Sequence, residues 1–379
     1  MILISCVVLS AQTCAQYEAN NFYGAFLLNA AGGSGDLLKD LGWTRRLRLT
    51  VLNASGSEDL SNFPMLVHLD NTRIDYSLTV DSGADVRFTL EDGTLLPYEI
   101  ERWNEAGTST AWVRLPTITA GSDTGYFYLY YGNPNAAADE TASSLWSDNY
   151  QGVWHFQESP ADAAPQFQDS SGNSHPGTAT AMGAAARTTA LTGYGLNFVG
   201  SGHVNVSDAG DLRLATDFTL EALFNWDGGG TTHAYLLEKG SNDFDNYAVF
   251  FATGTGRLGT EYRDLTNTYR NPSETGASVT AASWIYAAVT YDQAALRVRF
   301  YKDGALATNV ACPGASGILG TQTDDIYFGR QNFGAANLYF FGVVDEIAIS
   351  RARRSDAYLT ARNRTFRDTF LSYGSAEVL

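Results

Sequence analysis

Glycoside hydrolysis needs two carboxylates facing each other across a cleft, about 5 to 9 Å apart. Glu99 and Glu101 come nearest to such a pair, because a spacing of two puts both side chains on one face of a strand. Arg102 and Trp103 follow directly, so pairing with arginines is expected of these glutamates rather than acid and base work. Asp345 and Glu346 are adjacent and point to opposite faces of a strand, which argues against a catalytic pair there. The five histidines stand singly, without metal-ligand spacing, and no Gly-x-Ser-x-Gly, phosphate-binding loop or dinucleotide fingerprint is present. No catalytic residue is assigned. Cys312, flanked by Val310, Ala311 and Pro313, reads as a packed thiol.

Two patterns suit binding better than catalysis. Asp169-Ser170-Ser171-Gly172-Asn173 gathers oxygen donors around a tight turn, and Ca²⁺ takes roughly six to eight oxygen ligands. An Asx turn, with Asp169 accepting from backbone N–H groups, explains the same text without an ion. The segment Glu261 to Asn271 combines tyrosines with arginines and amides, as sugar recognition requires. Together with Trp226 and Asp227 it names Tyr262, Arg263, Tyr269 and Arg270 as candidate ligand contacts. The alternative is that Tyr262 and Tyr269 line the core or pair across strands.

The elements that must hold these residues are strands. The 379 residues carry 41 acidic and 24 basic side chains, a net charge of −17 and a pI near 4.6, which excludes nucleic acid and anionic membrane as partners. Aromatics at 13% and 37 glycines against 9 prolines point to an all-β protein, and the length suggests two domains. Residues 1–15 read as a secretory signal peptide or a retained apolar segment. Residues 16–42 form an arm whose Phe22, Phe26, Leu27 and Leu28 need a surface to cover, on the same chain or on another copy. Period-two runs begin at Leu47, Leu49 and Val51 and recur through Tyr126 to Tyr131, predicting a β-sandwich over 43–137. After a linker at 138–149, nine further runs separated by Gly-rich turns predict a jelly roll over 150–368, with a helix from Ser355 through Arg362 and a tail at 369–379.

Particular text carries a resemblance. Trp43-Thr44-Arg45-Arg46, Phe63 to Asp70, Gly83 to Phe88, Leu96 to Trp103 and Tyr128 to Pro134 resemble a bacterial β-rich domain of unknown function. That domain precedes laminin-G-like modules and occurs in some MotA/TolQ/ExbB-type channel proteins; the channel part has no counterpart here. Gly152 to Phe156, Asp169 to Asn173, Gly195 to Phe198, Trp284 to Asp292, Phe300 to Gly304 and Gly342 to Ser350 resemble the concanavalin A-like, laminin-G-like family. This second resemblance implies two β-sandwich domains in all, and it implies that Asp345 closes toward Asp169 and Asn173 around one structural Ca²⁺. It also implies a secreted or cell-surface, non-catalytic protein that recognises a glycan or a cell-surface protein. The rival expectations are a self-assembling surface-layer or filament protein and, third, a polysaccharide hydrolase or lyase.

Overall fold

The computed structural model describes residues 36–241, 245–273, 275, 279–312, 317–332 and 338–379. Residues 1–15 and the apolar part of the arm, Phe22 to Leu28, lie outside the described residues. Among the described residues no helix is long and apolar enough to cross a membrane.

A one-turn helix, α1 (Leu37–Asp40), leads into the first lobe. Its strands are β1 (Arg45–Val51), β2 (Leu60–Leu69), β3 (Arg87–Thr89), β4 (Tyr98–Arg102), β5 (Ser109–Ile118) and β6 (Tyr126–Tyr131). A short helix α2 (Ala142–Leu145) occupies the expected linker. The second lobe opens with β7 (Tyr150–Trp154), β8 (Gly177–Thr180), β9 (Arg187–Thr189), β10 (Tyr194–Val199), β11 (His203–Val206) and β12 (Phe218–Trp226). It continues with β13 (His233–Lys239), β14 (Tyr247–Ala252), β15 (Arg257–Gly259), β16 (Tyr262–Arg263), β17 (Tyr269–Arg270) and β18 (Trp284–Asp292). Then come β19 (Arg297–Lys302), β20 (Ala305–Ala311), β21 (Ile326–Phe328), β22 (Phe341–Ser350), helix α3 (Asp356–Phe366) and β23 (Leu371–Val378).

The second lobe is a sandwich of two large sheets, β20-β19-β18-β12-β22-β10-β9 with β7 also on β22, against β15-β14-β13-β21-β11-β8. Phe218, Leu220, Ala222, Phe224 and Trp226 share one face of β12 and fill the core between these sheets. The turn between β19 and β20 uses Asp303 and Gly304, both at positive φ (49° and 78°), as a tight hairpin requires.

The first lobe is completed from the far end of the chain. Its sheets run β23-β1-β6-β3 and β2-β5-β4. Residues 369–379 were expected to be a tail, but β23 pairs antiparallel with β1 from Arg45↔Val378 to Val51↔Leu371. The reason is physical: without it β1 would present a row of unpaired backbone groups at the sheet edge. Helix α3, capped by the Ser355 hydroxyl accepting from Tyr358 N–H, docks on β2, where the Leu66 N–H donates to Thr365 Oγ1 at 2.7 Å. Phe63 meets Tyr358 and Trp112 meets Phe366 edge to face, at 5.1 and 5.7 Å. One buried cluster therefore joins Leu47, Phe63 and Trp112 of the first lobe to Leu223, Tyr286 and Ala348 on the outer face of the eight-stranded sheet. The two lobes share a core.

Candidate functional site

The residues expected to contact a ligand divide into three groups. Trp226 is buried at the end of β12, its ring edge to face with Phe251 at 5.1 Å and its Nε1 donating to the Gly229 carbonyl at 2.7 Å. Asp227 beside it is exposed, and its Oδ1 accepts from Gly229 N–H in a turn. Tyr262 corrects the expectation: it is 1% exposed and packs on Tyr291, so its face cannot stack on a sugar. The period of a two-residue strand could not show which way it turned.

The rest form a real surface element. β16 and β17 make a hairpin with Tyr262↔Arg270 and Arg263↔Tyr269 in register. Asp264 organises it, accepting from the N–H groups of Thr266 and Thr268 and from Arg270 Nε and Nη2 at 2.8 and 2.6 Å. Burial opposes the charge on Asp264, but Thr266, Arg270 and these amides outweigh it and hold its pKa down at about 2. Arg263 donates to the Asn267 carbonyl and lies 5.8 Å from the Tyr269 ring. The tip therefore holds Leu265 at 57% exposure and Tyr269 at 36%.

Beneath this hairpin lies a group that periodicity did not reveal. Glu238, Asp245 and Glu261 are buried, with ligand atoms within 4.8 Å of one another. Tyr235 Oη donates to Glu261 Oε1 at 2.8 Å, and Asn271 Nδ2 reaches both that oxygen and the Tyr269 hydroxyl. Burial, then repulsion from Asp245, pushes Glu238 well above the ordinary glutamate range. The available signal was a lone carboxylate set in the otherwise apolar Tyr235-Leu236-Leu237-Glu238 run.

A second cluster lies between the lobes. Glu99 and Glu101 do share a strand face, but, contrary to expectation, neither pairs with an arginine among the described residues. Glu99 accepts from Trp146 Nε1 at 2.8 Å and Ser170 Oγ at 2.5 Å, while Glu101 accepts from Trp112 Nε1 at 2.7 Å and Gln157 Nε2 at 3.0 Å. His155 of the second lobe enters between them, with Nδ1 2.6 Å from Glu346 Oε1 and Nε2 3.4 Å from Glu99 Oε2. Its ring stacks on Trp112 at 5.9 Å. Burial disfavours the imidazolium, yet Glu346 and Glu99 overcome that and hold its pKa well above the usual value. Burial and the charge of Glu346 push Glu101 far up. Buried Glu346 Oε2 accepts no hydrogen bond from the described residues, and a protonated Glu101 is a donor of the right kind beside it. Such a closed acid network suits joining the lobes, not attacking a substrate.

The oxygen donors expected around calcium do not converge as a shell. Asp169 accepts from Val153 N–H, Ser171 N–H, Ser171 Oγ and His175 N–H, which fills both oxygens. Asn173 Nδ2 donates to the Tyr150 carbonyl at 3.0 Å. Asp345, the extra residue of a bulge in β22, accepts from Leu191 N–H and from the N–H and hydroxyl of Thr192. Occupied by N–H and O–H donors, these side chains fit an Asx turn and a separate loop clamp, and do not fit a Ca²⁺ coordination shell.

With this geometry in hand, comparison with known proteins places the lobes. Residues 198–358 match the concanavalin A-like lectin/glucanases superfamily, and residues 82–162 match a domain of unknown function (DUF2341). No curated protein sequence matches. Among solved structures, the binding domain of botulinum neurotoxin DC in complex with rat synaptotagmin II aligns at 12% identity and a TM-score of 0.43, over 58% of this chain and 52% of that one. Domain 4 of AbnA, an extracellular arabinanase from Geobacillus stearothermophilus in complex with arabinotriose, aligns at 16% identity and a TM-score of 0.42, over 56% and 97%. The Ruminococcus gnavus IT-sialidase CBM40 bound to α2,3 sialyllactose aligns at 16% identity and a TM-score of 0.37, over 45% and 96%. The chain spans about half the length of the toxin binding domain it matches. Its second lobe contains a concanavalin A-like domain, and the preceding domain of unknown function spans the end of the first lobe and the start of the second.

Proposed function

We propose that this is a secreted or cell-surface recognition protein without catalytic activity, whose second lobe binds a glycan through the β16–β17 hairpin. The observation that carries the reading is the hairpin itself. A loop pinned by Asp264 holds the ring of Tyr269 partly open to solvent, with Leu265, Arg263 and the hydroxyls of Thr266 and Thr268 around it. A sugar ring stacks its C–H face on such an aromatic, while hydroxyls and guanidinium fix its oxygens. Preorganisation lowers the entropy lost on binding.

The family includes lectins and glucanases, and the carboxylates favour the first class. The carboxylates of Glu101 and Glu346, around His155, and those of Glu238, Asp245 and Glu261 lie buried, where a glycosidic oxygen has no access. The test is a glycan and polysaccharide panel read by direct binding, in Ca²⁺ and again in EDTA, with Tyr269→Ala as the comparison. Binding that persists in EDTA and falls about tenfold or more in Tyr269→Ala is expected. Equal binding by the variant, or release of reducing ends from any polysaccharide, overturns the reading.

A further inference from the structure

The first lobe has a cleft that this function leaves unused. It measures about 690 Å³ and opens at one end of the sandwich, between the 71–77 loop and the Gly374–Ala376 stretch of β23. Ligand pockets commonly span roughly 300 to 1,000 Å³. Its floor includes the buried Tyr76 and Tyr131. Arg45 stands at the mouth because it is the first residue of β1 and shares the inward face of Leu47 and Leu49 where the two sheets end.

Arg45 differs from the other cation of the cleft. Arg73 is committed, bonded to Asp368 at 2.5 Å and stacked over Tyr373 at 3.7 Å. Arg45 donates Nη1 to the Thr44 carbonyl at 2.9 Å and attracts the Asp75 carboxylate, but among the described residues no carboxylate stands at ion-pair distance from it. The rest of the rim is neutral and polar, from Asn71, Thr72, Ser77 and Ser375, with the carboxylates of Asp75 and Glu105 beside them. The Asp75 Oδ1 is taken by Ser77 N–H and Oγ. The β23 wall is bent: its register with β1 skips from Leu47↔Ala376 to Leu49↔Tyr373, so Gly374 and Ser375 bulge opposite Arg48. Among the described residues, the outward backbone groups of this edge strand have no neighbouring strand to pair with.

From this arrangement we infer that the cleft is a second binding site, for an acidic sugar. Arg45 takes the single carboxylate. The hydroxyl and amide rim and the edge of β23 take sugar hydroxyls. Asp75 and Glu105 repel polyanions, so the ligand carries one negative charge near Arg45 and hydroxyls elsewhere.

The test uses the full chain with D-glucuronate, D-galacturonate and N-acetylneuraminate as probes, and glucose and acetate as controls, read by titration calorimetry and ligand-observed NMR. Saturable one-to-one binding of at least one acidic sugar is expected. Arg45→Gln should weaken it about tenfold or more, since a charge-assisted hydrogen bond is lost. The β1 ladder uses only the Arg45 backbone, so this variant keeps the fold, and Ser375→Tyr, which fills the cleft, should act alike. Tyr269→Ala should bind these probes as the native chain does, which separates this site from the hairpin. No binding of any acidic sugar overturns the proposal; so does equal binding of acetate or glucose, or binding indifferent to both cleft variants.

Discussion

The two buried acid clusters of this protein solve one problem in different ways. Between the lobes, carboxylates surround a cation: His155 lies between Glu346 and Glu99, and Arg362 Nε sits 3.2 Å from Glu221 beneath them. Under the hairpin, Glu238 meets Asp245 and Glu261, and its charged form is opposed by burial and by both neighbours. A buried charge is costly unless paired. The first cluster is therefore a joint held by ion pairs, and in the second burial and the neighbouring carboxylates favour the protonated form of Glu238. The joint is made by residues distant in sequence, Glu99 and Glu101 from one lobe and His155 and Glu346 from the other. It ties the lobes into one unit, while the second cluster supports only a surface loop.

The contrast is sharpest when one partner is removed. His155→Ala leaves Glu99 and Glu346 buried without their cation, and should cost about 3 to 5 kcal/mol at pH 8 in urea unfolding. Glu238→Gln relieves repulsion instead of creating it, and should stay within about 1 kcal/mol of the native chain or gain stability. If the two variants were equally damaging, the ion-paired joint would not differ from the protonated group.

This distinction was only partly legible in the sequence. Alternation in Phe218 to Trp226 correctly separates two faces, and Ser355 marks the start of α3. Period two says which residues share a face, but not that the second face is covered. Glu221 and Leu223 lie on the face of β12 opposite Phe218 and Leu220, and both are buried, Leu223 in the core shared with the first lobe. Likewise Glu99 and Glu101 were rightly put on one face, while the partner awaiting them, His155, is more than fifty positions away and belongs to another sandwich. β23 escaped notice because an edge strand exposed on one side needs only Leu371 and Tyr373 to hold it, and Gly374-Ser375-Ala376 carries no alternation. The Tyr262 to Asn271 segment was legible as a candidate surface, yet the side chosen by Tyr262 depended on Tyr291.

Acidity gives a smaller effect, with a definite sign. Glu101 binds its proton more tightly in the folded chain than the ordinary value near 4.5 implies, so its stabilisation is complete below that value and disappears as pH rises through its raised native pKa. The imidazolium of His155 contributes fully below 6.5 and is lost as pH rises through its own raised value, and Asp345, pushed up to about 7 by burial and Glu346, acts in the same direction. Stability should therefore fall toward alkaline pH, by about 1.4 kcal/mol per unit for each net proton released on unfolding. Glu101→Gln mimics the protonated acid and should flatten the profile above pH 5, and Glu238→Gln should flatten it by a separate, additive amount. Unfolding midpoints measured from pH 5 to 9 decide this; profiles that run parallel to the native one would show that neither acid holds its proton.

The finest comparison concerns one hydroxyl in each cluster. Tyr286 Oη donates to Glu221 Oε2 at 2.6 Å, and the same oxygen is 3.2 Å from Arg362 Nε. Tyr235 Oη donates to Glu261 Oε1 at 2.8 Å, an oxygen shared with Asn271 at 3.3 Å. Removing either hydroxyl with phenylalanine deletes one hydrogen bond and keeps the ring packing, Tyr235 on Phe250 at 4.8 Å and Tyr286 on Phe366 at 5.3 Å. Where a guanidinium remains to hold the carboxylate, Tyr286→Phe should cost about 0.5 to 1 kcal/mol. Under the hairpin, where Asn271 shares the same oxygen, Tyr235→Phe should cost more, about 1 to 2 kcal/mol. A larger loss in Tyr286→Phe than in Tyr235→Phe would mean that the Arg362 guanidinium does not hold the Glu221 carboxylate once the hydroxyl is gone.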